Sequence, residues 1–407
     1  MRLAIYHNLP SGGGKRALFE MARRLAMQHQ VDVYTLSTAE HDFCDLRPFV
    51  RRHIVFPFEP LPLVRRPFGR LNQGIRTADL LRLEAVQRRV AAQIDGGGYD
   101  VVFVHHCRFG QSPGLLKFLR TPSVYYCQEP PRQIYEPLPD RPYAHFSKAQ
   151  RLGNLVDPLP GLYRRTLAKV DLRNVRAARL VLVNSAYSRE SLYRAYGIFA
   201  RVCYLGVDTE RFYPLSENKG DFVLSVGALN PRKGFDFLIH SLAQLDGTCR
   251  PRLVLVSNHT DERELSFLVQ LAERLGVRVE FRRMIGDDEL LNLYNRAIAT
   301  VYAPVMEPFG FVPLESMACG TPVVGVREAG VRESVVHGVT GILTERHPAE
   351  FARALHSLLV DRNLAHDLGQ NGVRHVRQHW TWEAAVERIE NNLIAAAGLA
   401  NPLAVQA

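Results

Sequence analysis

Short apolar runs alternate with amphipathic stretches along most of the 407 residues, and that alternation leaves few folds open. "RLAIY" (2–6) precedes the helix-like "KRALFEMARRLAMQ", and "DVYTL", "DVVFVHH" (100–106), "SVYYC" (123–127) and "RLVLVN" (179–184) follow, with helical stretches between several of them. The longest of these is "GIRTADLLRLEAVQRRVAAQI" (74–94). Runs that are apolar throughout, without period-two alternation, read as strands covered on both faces, which is the habit of parallel sheets. Strands alternating with helices give the doubly wound α/β pattern.

The pattern starts again after "RFYPLSENKGD" (211–221), a polar stretch with Pro and Gly that reads as a linker. "FVLSVG" (222–227), "RLVLVS" (252–257), "RVEFR" (278–282), "ATVYA" (299–303) and "TPVVGV" (321–326) form the second series. The expectation is α/β, with two Rossmann-like doubly wound domains, 1–213 and 221–380, facing across a cleft. The last amphipathic helix, 381–397, is expected to pack back on the first domain. Ligands of such sheets bind beyond the carboxyl ends of the strands.

Composition narrows the function. A chain 46% hydrophobic and 23% charged is that of a globular protein, and no apolar run approaches the roughly 18 residues of a membrane span. The N-terminus lacks the apolar core and cleavage site of a signal peptide. Six scattered cysteines without a C-x-x-C pair suit reduced thiols in the cytoplasm, neither a disulfide framework nor a zinc site. The net charge of +10 is uneven: residues 1–217 carry 32 Lys and Arg against 19 Asp and Glu, so +13, and the remainder carries −3. A basic half suits nucleic acid, anionic lipid or a phosphorylated substrate, and equally a solvated arginine-rich surface.

Four stretches of the second half fall at strand ends. "VGALNPRKGFDFLIHSL" sets Arg232 and Lys233 after the strand at 222–227, at the start of a helix. Two cations beside a helix N-terminus suit a diphosphate, because backbone N–H groups and the helix dipole add to their charge. "EPFGFVPLE" carries Glu307 in a proline-broken loop and Glu315 in what reads as the first turn of the following helix. Carboxylates accept hydrogen bonds from neighbouring hydroxyls of a sugar or ribose, so both are expected to be held by hydroxyls and not by cations. As a helix-start residue Glu315 also has an ordinary dipole-stabilising reading. The "AGVRE" turn (329–333) can present N–H groups to a phosphate or sugar. "GDDELLNLYNRA" (286–297) has adjacent aspartates, but they fit a helix start, and no third ligand for a metal stands near. In the first half, Gly12, Gly13 and Gly14 open a helix without dinucleotide or Walker spacing. His105, His106, Gln128 and Glu129 close strands and face the expected cleft.

Taken together, "GGGKRALFEMARRLA", "NSAYSRESL" (184–192), "GVDTERF" (206–212), "GALNPRKG" (227–234), "EPFGFVPLESMACGTPVV" (307–324) and "VVHGVTGIL" (335–343) resemble family 4 of the retaining glycosyltransferases, over nearly the whole chain. The resemblance implies the GT-B architecture and transfer of a hexose from a nucleotide-sugar, of the GDP-mannose or UDP-glucose type, to a glycan or lipid-linked acceptor. It implies no cofactor and no essential metal. Arg232 and Lys233 then hold the donor diphosphate, Glu307 contacts sugar hydroxyls and Glu315 the ribose. Gly227 and the loop at Phe309, Gly310 and Phe311 approach the donor, and Gly13 and Gly14 lie beside the diphosphate and acceptor. Arg232, Lys233 and Glu307 carry the catalytic burden. The family often has a histidine where this chain has Gln128; glutamine can bond a sugar hydroxyl but is neither acid nor base near pH 7.

Alternatives stay open: a nucleotide-sugar-binding subunit without turnover, or a GT-B epimerase. A pyridoxal-type phosphorylase needs a cofactor lysine that nothing marks. Nucleic acid is not expected as a partner. The basic, leucine-interleaved "LYRRTLAKVDLRNVRAARL" (162–180) suits either the surface of an anionic membrane, making the protein peripheral on its inner face, or packing on the protein's own sheet.

Overall fold

A computed structural model describes residues 1–65, 71–144 and 158–399. The described residues divide into two compact units: 1–137, 158–205 and 385–399 in the N-terminal unit, and 138–144 with 206–384 in the C-terminal unit.

The N-terminal unit is built on β1 (Arg2–Asn8), α1 (Gly13–Gln28), β2 (Gln30–Leu36), β3 (Arg52–Phe56), α2 (Asn72–Asp95), β4 (Val101–Cys107), β5 (Ser123–Tyr126), the short α3 (Arg132–Tyr135), α4 (Leu159–Ala177), β6 (Leu180–Val183), α5 (Ala186–Tyr196) and β7 (Arg201–Val202). Its seven strands lie in the order β3-β2-β1-β4-β5-β6-β7, and every pairing is parallel. Alternation of side chains along a strand divides the core in two. Ala4, Tyr6, Tyr34, Leu36, Val102 and Val104 pack with Leu83, Val86, Val90 and Ile94 of α2. Leu3, Ile5, Val31, Val33, Val101 and Phe103 are buried on the opposite face, the side of the β1–α1–β2 crossover, where α1 buries Ala17, Leu18 and Met21. The "NSAYSRE" stretch makes its helix start for a local reason: Ser185 Oγ accepts from the Ser188 N–H at 2.9 Å, and Gly197 ends α5 in the left-handed region.

The C-terminal unit continues with β8 (Phe222–Val226), α6 (Phe235–Ala243), β9 (Arg252–Ser257), α7 (Glu262–Leu275), β10 (Val279–Arg283), α8 (Asp287–Arg296), β11 (Thr300–Tyr302), α9 (Phe311–Ala318), β12 (Val323–Val326), the four-residue α10 (Val331–Ser334), β13 (Gly341–Thr344), α11 (Pro348–Val360) and α12 (Arg362–His379). The strand order is β10-β9-β8-β11-β12-β13, again parallel throughout. Phe235, Leu238, Leu268, Phe351 and Leu355 from three helices close one core against β8, β9 and β12. The final helix α13 (Trp382–Ala397) has its first residues in the C-terminal unit, while those from Ala385 on belong to the N-terminal unit, where Glu390 Oε1 lies 2.7 Å from His29 Nε2.

Both strand orders reverse direction at one point, between β1 and β4 and between β8 and β11. At such a switch the connections leaving two neighbouring strands diverge and open a crevice at their carboxyl ends. Residues 227–234 and 303–310 leave β8 and β11; residues 9–14 and 108–113 leave β1 and β4. Strands β3, β7 and β13 carry no run that the sequence pattern singles out. They are edge or near-edge strands, half exposed in β3 and only two residues long in β7, so their apolar signal is weak.

Candidate functional site

In the C-terminal unit the two connections at the switch meet. "NPRKG" does not run straight into a helix. It forms a tight 3-10 turn, Pro231–Lys233, with Asn230 Oδ1 accepting from the Arg232 N–H at 3.0 Å, and α6 begins only after Gly234. Gly234 is obligatory here. Its φ of 66° is left-handed, and a Cβ would stand 2.1 Å from the carbonyl oxygen of Ala303. That clearance lets the turn lie against the end of β11, and the Val305 N–H donates to the Arg232 carbonyl at 2.8 Å.

Lys233 and Glu307 form an ion pair there, with Nζ 3.1 Å from Oε2 and both side chains about three-quarters covered. Gly227 makes room for the lysine stem, whose Cδ lies 3.2 Å from where a Cβ would be. Glu307 also anchors its loop, its carbonyl accepting from the Gly330 N–H at 3.0 Å. Gly330 itself is pressed against Pro308, whose carbonyl oxygen stands 2.3 Å from a would-be Cβ. The "AGVRE" turn is thus the four-residue α10 and its entry, docked on the Glu307 loop.

Glu315 is the fifth residue of α9, in its second turn and 4% exposed. This corrects the expected first-turn placement: the helix starts at Phe311, two residues ahead of Pro313, because Gly310 at φ 84° ends the loop early. The dipole reading therefore falls away. Each carboxylate also corrects the expectation that hydroxyls alone hold the pair. Glu307 takes a cation, Lys233, because the switch brings the two loops together; Glu315 takes a protein hydroxyl, the phenol of Tyr294, which donates to Oε2 at 2.7 Å. Phe309 and Phe311 meet edge to face at 5.3 Å, and the rings of Trp380 and Trp382 lie 5.8 and 6.2 Å from them respectively. Gly310 faces Tyr302, whose hydroxyl would be 2.3 Å from a Cβ.

Three supports have no local signal in the sequence. Arg346 reaches the loop before Glu307, donating to the carbonyls of Ala303 at 3.1 Å and Pro304 at 2.9 Å while pairing with Glu328 at 2.7 Å. Tyr294 comes from α8. Arg141 lies in 138–144, a first-half segment grouped with the C-terminal unit; it donates to Glu264 and Asp236 at 2.9 to 3.2 Å and to the Pro231 carbonyl at 3.3 Å. Only the charge of Arg141 could have flagged it, and the chain has 51 Lys and Arg. Asp287 and Asp288 lie in the first turn of α8, and Asp287 pairs with Arg211.

In the N-terminal unit, Gly13 and Gly14 open α1 and Gln128 follows β5. Gln128 Nε2 donates to the Gly14 carbonyl at 3.4 Å, and a Cβ on Gly14 would meet Gln128 Oε1 at 2.7 Å and His106 Cε1 at 3.3 Å. His105 is fully buried, between Phe103 and Tyr126, and burial holds its pKa down at about 3.

Two family profiles match the chain: "Glycosyltransferase Family 4" over residues 11–211 and "Glycosyl transferases group 1" over residues 207–375. Similar proteins include a D-inositol 3-phosphate glycosyltransferase of Acidothermus cellulolyticus, 31% identical over 91% of this chain and 83% of the relative. A second, from Streptomyces bingchenggensis, is 32% identical over 92% and 83%. Among solved structures, sucrose-phosphate synthase from Thermosynechococcus elongatus superposes with a TM-score of 0.73 at 21% identity, covering 97% of this chain and 100% of that one. Anabaena HepE in complex with UDP-glucose gives 0.69 at 22% identity, with the same coverage.

Proposed function

The chain belongs to family 4 of the glycosyltransferases, with the GT-B fold, and from that premise we propose that it transfers a hexose from a nucleotide-sugar, with retention of anomeric configuration. The observation that carries the reading is the Lys233–Glu307 pair at the β8/β11 switch, 3.1 Å apart, with Arg232 next in sequence. A diphosphate at this turn is met by a guanidinium and an ammonium, which suit phosphate oxygens as a fork and as a point charge. Glu307 is then poised between the cation and the sugar hydroxyls, and buried Glu315 accepts from ribose hydroxyls beside Tyr294. Gly227 and the N–H groups at 309–311 approach the donor. Gly13, Gly14 and Gln128 are assigned contacts with diphosphate and sugar on the resemblance.

In the transfer, the acceptor hydroxyl oxygen bonds to the anomeric carbon on the face from which the diphosphate departs. The carbon–oxygen bond to the diphosphate breaks, and the hydroxyl proton passes to a leaving phosphate oxygen. The protein supplies positioning and neutralisation of the departing charge. No side-chain acid or base is needed, which accommodates glutamine at position 128. UDP-glucose bound to HepE supports a UDP-hexose donor, and the named activity of the Acidothermus relative supports a phosphorylated polyol as acceptor, beside a glycan or lipid-linked one.

The test is release of nucleotide from UDP- and GDP-sugars side by side, with and without acceptor. Release that rises with acceptor supports transfer; binding without release supports a binding subunit, and sugar interconversion without acceptor an epimerase. Either of the last two outcomes overturns the reading. A cytoplasmic, peripheral location is part of the proposal. All six cysteines are free, and α4 exposes Arg164, Arg165 and Lys169 while burying Leu167, Asp171 and Val175. Among the described residues no helix is long and apolar enough to cross a membrane.

A further inference from the structure

The face of the N-terminal sheet on the α1 side is apolar along most of its length and turns polar at its carboxyl end. Leu3, Ile5, Val31, Val33, Val101 and Phe103 are followed, on the same face, by His7, Thr35 and His105. His7 and Thr35 are register partners on β1 and β2. Lys15 joins them from the first turn of α1 and is 1% exposed; His7, Thr35 and His105 are 0% exposed. Among the described residues, Lys15 Nζ, His7 Nε2, Thr35 Oγ1 and both ring nitrogens of His105 have no hydrogen-bond partner. Proteins rarely leave one such group unmade, and here several share a neighbourhood. Their mutual fields are felt: Lys15 and His105 both depress the pKa of His7, and Lys15 that of His105.

The chemistry of these atoms is one-sided. His7 Nδ1 accepts from the Leu9 N–H at 3.4 Å, so in the neutral ring Nε2 carries the proton and is a donor. Lys15 offers an ammonium, Thr35 a hydroxyl, and His105 at least one N–H. Glu40, Asp45 and Cys44 act on Lys15 only through the field, and no ion pair joins it to any described carboxylate. Buried donors around a cation, at the carboxyl end of β1 and β4 beside the Gly12–Gly14 turn, match a ligand that has several acceptor oxygens and negative charge.

We propose that Lys15, His7, Thr35 and His105 form an oxyanion subsite that takes a phosphoryl group. The binding claim stands without the transfer reading; that the phosphoryl group is borne by the acceptor rests on it, and the two are tested apart. Calorimetric titration of inorganic phosphate into the full chain carrying Arg232→Met and Lys233→Met reads this subsite with the other cationic turn silenced. One phosphate per chain is expected, and adding Lys15→Met or, separately, His7→Phe weakens it at least tenfold. Absence of phosphate binding, or binding unchanged by both substitutions, overturns the subsite and leaves donor use by the native protein untouched. With native Arg232 and Lys233, Lys15→Met is expected to raise KM for a phosphorylated polyol tenfold and leave KM for its unphosphorylated counterpart unchanged. Phosphate binding with equal KM effects on both makes the ligand free phosphate and overturns the acceptor assignment alone.

Discussion

Arg141 is the point at which a first-half segment is most firmly written into the C-terminal unit. Its guanidinium is 5% exposed and Glu264 is 0% exposed, whereas Asp236 retains 27%. Replacing Arg141 by Met removes the partners of both carboxylates, but the two losses differ. Asp236, partly exposed, can rehydrate, and losing such a partner costs about 1 kcal/mol. Glu264 cannot; it keeps the Tyr143 hydroxyl and the burial of its charge, and uncompensated buried charges cost about 3–5 kcal/mol. A loss near 3 kcal/mol is therefore expected. Neutralising the stranded acid should recover most of it, so Arg141→Met with Glu264→Gln is expected to show a coupling of about 2 kcal/mol. The assay is built in: the chain has two tryptophans, Trp380 and Trp382, both in the C-terminal unit, so indole fluorescence during urea unfolding follows that unit alone. Donor KM should also rise several-fold, because Arg141 holds the Pro231 carbonyl of the Arg232–Lys233 turn. A destabilisation below about 1 kcal/mol, or single effects that simply add, would refute the account of a buried clasp.

Gly234→Ala puts a Cβ into the Ala303 carbonyl at a left-handed φ; a loss of at least about 2 kcal/mol in the same fluorescence assay, with weakened donor use, is expected. Lys15→Met tests a pH dependence. Burial lowers the Lys15 pKa from 10.5 to about 8, against the fields of Cys44, Asp45 and Glu40 and with that of Arg47; His7, His53 and His105 also lie near it, but they are neutral at these pH values and add no charge. Between these values the unfolded chain binds the extra proton, so native stability should rise with pH from about 8 to 10.5, and the cost, about 3 kcal/mol, is full below pH 8. The Met variant should be more stable at pH 7 and lack that rise; parallel pH curves would contradict it. Asp32, buried against Arg51, Arg52 and Tyr99, has its pKa lowered to about 2, chiefly by hydrogen bonds from the two arginines that outweigh desolvation. Its stabilisation is present above the ordinary carboxylate range and is lost as pH falls toward 2, so Asp32→Asn should flatten the acid limb of a circular-dichroism titration. If α4 meets membranes, the full chain should float with anionic vesicles and not with neutral ones at low salt; equal flotation removes that role.

What the sequence made legible is what depends on neighbours along the chain. Continuous apolar runs marked β1, β2, β4, β5, β6, β8, β9, β11 and β12, because a strand buried on both faces leaves no polar residue to interrupt it, whereas the edge strand β10 was marked by the alternating "RVEFR". Edge strands β3 and β13 and the two-residue β7 lacked that signal. The Lys233–Glu307 contact spans 74 residues and exists because β8 and β11 are neighbours at the switch, a fact of topology that no local spacing contains. The Tyr294–Glu315 and Arg346–Ala303 bonds are hidden for the same reason. Lys15 is the instructive case. "GGGKRALFEM" reads as an amphipathic helix start in which a lysine at the third helical position belongs to solvent. Only the placement of α1 on the sheet, where His7 and Thr35 are register partners on β1 and β2 and His105 lies near the end of β4, turns it inward. A cation turned into a donor-lined site by the sheet has no local reason to be there, and the fold bears its burial cost; phosphate titration of the Arg232→Met, Lys233→Met chain, with and without Lys15→Met, measures whether a bound phosphoryl group offsets that cost.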